Sequence, residues 1–284
     1  MDLLNIFFIF ILGTIIGSFV NVISLRYNTG LSIIKGRSKC FSCGISLRWY
    51  ELLPLASYFF LRGKCKSCRG SISIQYPLVE FLTGVVFVGV AWRQLNLWPI
   101  YSNLENGLLY SELFFIYYAF VFSLLMVILI YDFKHKVIPN ALVYTFIILG
   151  LVKLLLFTYF KSFILTSMDV LDLFTPLILF LPFALLWLVS RGRWIGFGDA
   201  KLAFGIGALL GFIYGLGAIV LAFWIGAICS VSFMVFDRIK KSRHSRVDFK
   251  TEIPFAPFLI LATFIVFFCR IDVLELEAIL GFLY

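Results

Sequence analysis

The sequence predicts an all-α polytopic membrane protein, with about eight transmembrane helices and a zinc-binding cytoplasmic loop. Three observations predict it. First, 62% of the 284 residues are hydrophobic and 14% are charged, where soluble globular chains carry about 45–50% and about 25%. Second, the apolar residues gather into runs close to the roughly 20 residues that a spanning helix needs. Third, the basic residues collect in alternate connections between those runs, as in a chain oriented by the positive-inside rule. Phe supplies 34 residues and Cys only 6, which excludes a disordered chain and a disulfide-stapled secreted scaffold.

The runs lie at about 3–25, 78–95, 111–131, 138–158, 172–190, 197–213, 214–236 and 254–272. The first is uncharged from Leu3 to Leu25, follows Asp2 rather than a basic segment, and has no small-residue cleavage signal behind it. It reads as a retained span and not as a signal peptide. Leu202–Phe236 is uncharged over 35 residues, too long for one helix, and Gly211, Gly215 and Gly217 suggest a hairpin near its middle. The expected organisation is a first transmembrane helix (1–25), a cytoplasmic four-cysteine loop (26–77) and a seven-helix membrane domain (78–284).

Nine Lys and Arg residues lie in 26–77. Two follow the third run (Lys134, Lys136), three follow the fifth (Arg191, Arg193, Lys201) and six lie in 237–253, leaving only Arg93, Lys153, Lys161 and Arg270 elsewhere. The basic side is the cytoplasmic one, so both termini are expected outside. Orientation and contact with anionic lipid account for most of the net charge of +9, and no nucleic-acid partner is expected. No internal repeat, low-complexity tract or flexible linker stands out.

The long loop holds Cys40-Phe-Ser-Cys43 and Cys65-Lys-Ser-Cys68, two C-x2-C pairs separated by 21 residues. Two residues between thiols let one tight knuckle aim both sulfurs at a single ion, and two knuckles complete a tetrahedron. On the reducing side of a membrane the pattern reads as a structural zinc site rather than as disulfides. Lys39, Lys64 and Lys66 stand beside the thiols and are expected to favour thiolates. Cys229 and Cys269 fall inside apolar runs and read as small core residues.

Asp132 ends the third run and Asp199 opens the sixth, in Gly196-Phe-Gly198-Asp199. The alternating topology puts both at the cytoplasmic edge of the bilayer. A carboxylate near hydrocarbon is costly unless paired or wetted, which makes each a functional candidate. Two close carboxylates share one proton, so one is a base that activates water and the other an acid for the scissile carbonyl or leaving amine. The glycines before Asp199 permit close chain approach, and Pro139 sets the start of the helix after Asp132. Taken alone, either Asp reads equally well as a solvated cap or a partner of Lys134, Lys136 or Lys201. Glu80, near the mouth of the second run, is a further candidate.

These residues resemble a known family. Gly-Phe-Gly-Asp199 is similar to the Gly-x-Gly-Asp motif of intramembrane aspartyl proteases. With Asp132 leading into Ile-Pro-Asn140, it resembles the prepilin leader peptidases. Gly17-Ser18-Phe19-Val-Asn21-Val22 with Arg26 resembles the family's first span. Its cytoplasmic domain is matched by the two cysteine pairs, by Leu47–Pro54, Arg62-Gly63 and Ile74–Glu80, and its last span by Pro254–Phe258. Phe41 stands where a proline often follows the first Cys, and Asn140 where Asp is frequent. The resemblance implies an eight-helix bacterial inner-membrane enzyme with two activities. Such an enzyme cleaves basic leaders from type IV prepilins and from pseudopilins of secretion or DNA-uptake machines. It then methylates the new N-terminal amine with S-adenosylmethionine. Asp132 and Asp199 fall on its catalytic aspartates, and the full cytoplasmic loop favours the bifunctional form. The methyl-transfer half rests on the resemblance alone, since no Gly-rich nucleotide turn and no soluble domain of the usual size is present.

Two rival readings follow from the residues. A proton-coupled carrier also uses membrane carboxylates, but it places them near the midplane in related halves. A zinc-anchored structural subunit leaves Gly-x-Gly-Asp without a role.

Overall fold

A computed structural model describes residues 3–103, 106–160, 166–239, 254–276 and 278, all in helices, turns and loops apart from two isolated β-bridges. The helices are α1 (Leu3–Arg26), α2 (Ala56–Phe60), α3 (Gln75–Tyr101), α4 (Gly107–His135), α5 (Asn140–Phe160), α6 (Ser167–Ser190), α7 (Phe197–Leu210), α8 (Phe212–Ile239) and α9 (Ala256–Cys269). Lys161, Lys240, Lys241, Arg243, Arg246 and Lys250, counted above for orientation, lie outside the described residues, as does the side chain of Arg238.

Each of the eight apolar runs forms a helix. Six of these helices, α1, α3, α4, α5, α6 and α8, are long and apolar enough to cross a membrane. The other two, α7 and α9, have 14 residues each. At 1.5 Å per residue they reach about 21 Å, short of the roughly 30 Å hydrocarbon core. Among the described residues the expected eight spans are thus met by six helices of spanning length and two shorter apolar ones. Large apolar side chains cover the outside, among them Ile148, Leu185 and Trp224, as befits helices solvated by lipid. Cys229 and Cys269 are exposed on that surface, not in a core; in lipid an apolar run needs no inward face to hide a thiol.

The chain divides into two compact units, 1–127 and 128–284. In the first, α1 and α3 pack through small residues. A Cβ on Gly13 would come within 2.8 Å of the Gly84 Cα, and one on Gly17 within 2.8 Å of the Glu80 Cα. Glycines at both positions let the backbones touch, the usual device where lipid supplies no hydrophobic drive. The loop 27–74 leaves the end of α1 and returns to the start of α3. Arg26 folds back beneath it, donating to the carbonyls of Ser32 (2.8 Å), Lys35 (3.4 Å) and Arg37 (3.3 Å).

In the second unit α7 is the central element, with Ala200, Leu202, Ala203, Ile206 and Ala208 fully buried. Small residues again set its contacts: Gly207 abuts Pro176 of α6, and Gly205 faces the Phe146 ring of α5. The break in the long uncharged stretch falls at Gly211, whose φ of +78° ends α7. Two ionic side chains hold the break. Lys153 Nζ donates to the Leu209 carbonyl at 2.9 Å, and Asp172 Oδ1 accepts from the Phe212 N–H at 2.7 Å. The last carbonyls of α7 and the first N–H of α8 thus find partners where hydrocarbon offers none.

Candidate functional site

Asp132 and Asp199 both belong to the second unit. Asp132 occupies the last turn of α4, closed by the Lys136 N–H donating to the Asp132 carbonyl at 2.7 Å. Lys136, at φ +53°, then turns the chain out of the helix. Gly196 precedes α7 in extended conformation, and the Asp199 N–H donates to its carbonyl at 3.1 Å, placing Asp199 in the first helical turn. The carboxylates are 5% and 8% exposed and lie within electrostatic reach of one another. Asp132 Oδ2 is buried without a hydrogen-bond partner, an acceptor available to water or a substrate amide.

Among the described residues neither carboxylate pairs with a lysine. Lys201 instead donates to Asn140 Oδ1 at 2.8 Å and lies over the rings of Tyr144 (4.8 Å) and Phe197 (5.2 Å). This links the start of α5 to the start of α7 and leaves the aspartates to each other. Pro139 directly precedes α5, as expected. The Asn140 link was not visible in the sequence, where its partner lies 61 positions away.

The four cysteines of the first unit converge, with all sulfurs within 4.8 Å of one another. Cys40 and Cys68 are 3.8 Å apart. Four metal–sulfur bonds of about 2.3 Å at tetrahedral angles put sulfurs about 3.8 Å apart, so the set can hold one ion. The knuckles are built alike. Cys40 N–H donates to Ile45 and Gly44 N–H to Cys40; Cys65 N–H donates to Gly70 and Arg69 N–H to Cys65. A β-bridge closes each, Lys39 to Ser46 and Lys64 to Ser71. The sequence behind them is a short repeat, Lys-Cys-x-Ser-Cys-x-x-Ser at 39–46 and 64–71, contrary to the expectation of none. It is too brief to register against the apolar background.

Backbone groups and neighbouring sulfurs, not Lys66, set the Cys40 and Cys43 thiols. Lys66 turns to Tyr50, 3.2 Å from its hydroxyl and 4.9 Å above its ring. Backbone N–H groups of Cys43 and Ser42 hold the Cys40 thiol down at about 6. At Cys43 the Ile45 N–H acts the same way, but burial and the neighbouring Cys40 and Cys68 sulfurs outweigh it and push that thiol up to about 11.

Glu80 is 8% exposed on α3. Its Oε2 accepts the Leu55 N–H at 2.8 Å, and Ser18 of α1 also bonds to it. Leu55, at φ +58°, begins α2, so Glu80 latches the loop to the helices below. It also borders a cavity of about 830 Å³ between the end of α1, the cysteine knuckles and the start of α3.

Two family models match the chain: the bacterial peptidase A24 N-terminal domain over residues 11–94, and the type IV leader peptidase family over residues 119–231. A Bacillus subtilis protein is 30% identical over 90% of each chain, and one from Pseudomonas aeruginosa is 30% identical over 90% of this chain and 87% of its own. Both are named prepilin leader peptidase/N-methyltransferase. The chain belongs to the type IV leader peptidase family. A Myxococcus xanthus protein of the same name is 49% identical over 80 residues, 28% of this chain and 24% of its own. No solved structure matches the chain significantly. The leader peptidase model spans both Asp132 and Asp199, and the N-terminal model spans the four cysteines and Glu80.

Proposed function

We propose that this leader peptidase is bifunctional. It removes the basic leader peptide from type IV prepilins or pseudopilins, and it methylates the new N-terminal residue with S-adenosylmethionine. Family membership and the names of its relatives support both halves and favour them over a carrier. The observation that carries the hydrolytic half is the pair of buried carboxylates, Asp132 and Asp199, within reach of each other's charge.

The dyad holds one proton. The ionised member takes a proton from water as the water oxygen bonds to the scissile carbonyl carbon, and the protonated member gives its proton to the carbonyl oxygen. Collapse of the tetrahedral intermediate returns that electron pair to the carbonyl, and the C–N bond breaks as its nitrogen takes a proton. One shared proton remains, so the apparent titration belongs to the pair.

Methyl transfer is assigned to the region of the cysteine loop, 26–77, with Glu80 beside it. S-adenosylmethionine supplies a methyl carbon on a sulfonium, which the deprotonated amine takes as the C–S electron pair returns to sulfur. Cys40, Cys43, Cys65 and Cys68 would hold zinc, and four sulfur ligands would make it a structural ion. The setting is the bacterial inner membrane, with both termini outside and the loop and aspartates on the cytoplasmic side, as the basic connections indicate.

Asp132→Asn and Asp199→Asn keep shape and remove the titrating group. Each is expected to slow cleavage of a synthetic prepilin by at least about 100-fold, measured by mass spectrometry on folded protein in detergent. Near-normal cleavage by either variant would falsify the dyad.

A further inference from the structure

We propose that the cavity beneath the cysteine knuckles is the methyl-donor site, and that Asn21 and Glu80 are its polar contacts to S-adenosylmethionine. The inference rests on the methyltransferase reading and assigns it a place. Its volume of about 830 Å³ lies in the range of about 300–1,000 Å³ that holds a ligand of this size. Val22, Leu25 and Ile72 give it apolar walls, and Lys35, Arg37 and Lys39 give it a basic rim. That mixture suits a nucleoside with a zwitterionic amino-acid tail, whose carboxylate meets the rim.

Two buried polar groups point to a ligand. Asn21, 2% exposed, lines the cavity. Its Nδ2 donates to the Tyr76 carbonyl at 3.2 Å, while its Oδ1 has no partner. An unmet buried acceptor costs about 1–3 kcal/mol, and an N–H of the adenine or the amino-acid end removes that cost. Glu80 is the second. Its contacts, the Leu55 N–H and Ser18, are both neutral, and no cationic side chain pairs with it among the described residues. An ionised carboxylate in this setting gains from a positive ligand, and the donor brings a sulfonium and an ammonium. Cys40 and Cys65 also line the cavity, so the knuckles form part of its wall.

The test is binding of radiolabelled S-adenosylmethionine to the full-length protein in detergent, by equilibrium dialysis, with prepilin cleavage as the check of folding. Glu80→Gln keeps an acceptor for the Leu55 N–H and removes only the charge; Asn21→Leu removes the unmet oxygen. Each is expected to weaken binding at least tenfold while cleavage persists. Binding at the wild-type level in both variants overturns the placement. Failure of the wild type itself to bind overturns the methyltransferase reading beneath it. A measurement independent of variant folding is photolabelling of the wild type with an azido-adenine analogue of the donor. The label should fall on peptides within 18–58 or 65–80 and be competed by unlabelled donor; competed labelling confined to other peptides rejects the site.

Discussion

Gly198 has Ile138 where its own side chain would stand: a Cβ there would lie 3.0 Å from both the Cβ and Cδ1 of Ile138. Gly196 has no such neighbour; its φ of −73° suits any residue, and a Cβ would meet Asp199 Oδ2 at an ordinary 3.5 Å. The two glycines of the motif therefore differ. Gly198→Ala must displace Ile138, and with it the turn joining Asp132 to α5. Misplacement of a reacting group by about 1 Å costs on the order of 100-fold, so cleavage by Gly198→Ala is expected to fall tenfold or more. Adding Ile138→Gly, which removes both contacting carbons, should restore much of it, and Gly196→Ala should cleave nearly as wild type. Equal losses in both alanine variants would show that the close approach does not matter. The sequence marked both glycines and both aspartates from residue type and spacing alone. Ile138 lay beyond it, because an apolar residue in a turn carries no chemical signature until the fold brings it against something.

At the scale of elements, the knuckles and the broken helix make opposite cases. The cysteine spacing was readable because each C-x2-C pair is local, and the structure needed only to bring two copies together. Each knuckle supplies half a coordination sphere, so Cys65→Ser with Cys68→Ser should release the ion entirely. Elemental analysis is expected to find about one metal per wild-type chain and none in the double variant, with prepilin cleavage retained. Protons compete with the metal for thiolates, so the wild type should also lose metal as the pH is lowered. Metal content unchanged by the double substitution would reject the site. The Lys153 and Asp172 clasp at the α7–α8 break was illegible, although Gly211 hinted at the break itself. Its partners come from α5 and α6, and the backbone groups they satisfy belong to two other helices.

For the whole molecule, composition and charge were enough for a multi-pass helical protein and for the place of its eight apolar helices, though not for α2 within the cysteine loop. They missed which helices are short, since apolar residues on either side of a helix end look alike to a hydropathy pattern. The cavity was also out of reach, because its wall draws on residues from Ser18 to Glu80 that only folding assembles. The shortness of α7 has a consequence for water. A buried helix of about 21 Å among longer neighbours, in a bilayer core of about 30 Å, leaves part of that thickness unfilled and room for a wedge of water at its end. Asp199 sits in the first turn of that helix, so a catalytic dyad there would draw its water from the wedge without a dedicated channel. Thickening the bilayer deepens the gap and makes wetting dearer. Prepilin cleavage in vesicles is therefore expected to slow as phosphatidylcholine acyl chains lengthen from 14 to 22 carbons, an order of thickness change on the scale of this deficit, while donor binding holds constant. Equal cleavage rates in thin and thick vesicles would mean that the water arrives by another route.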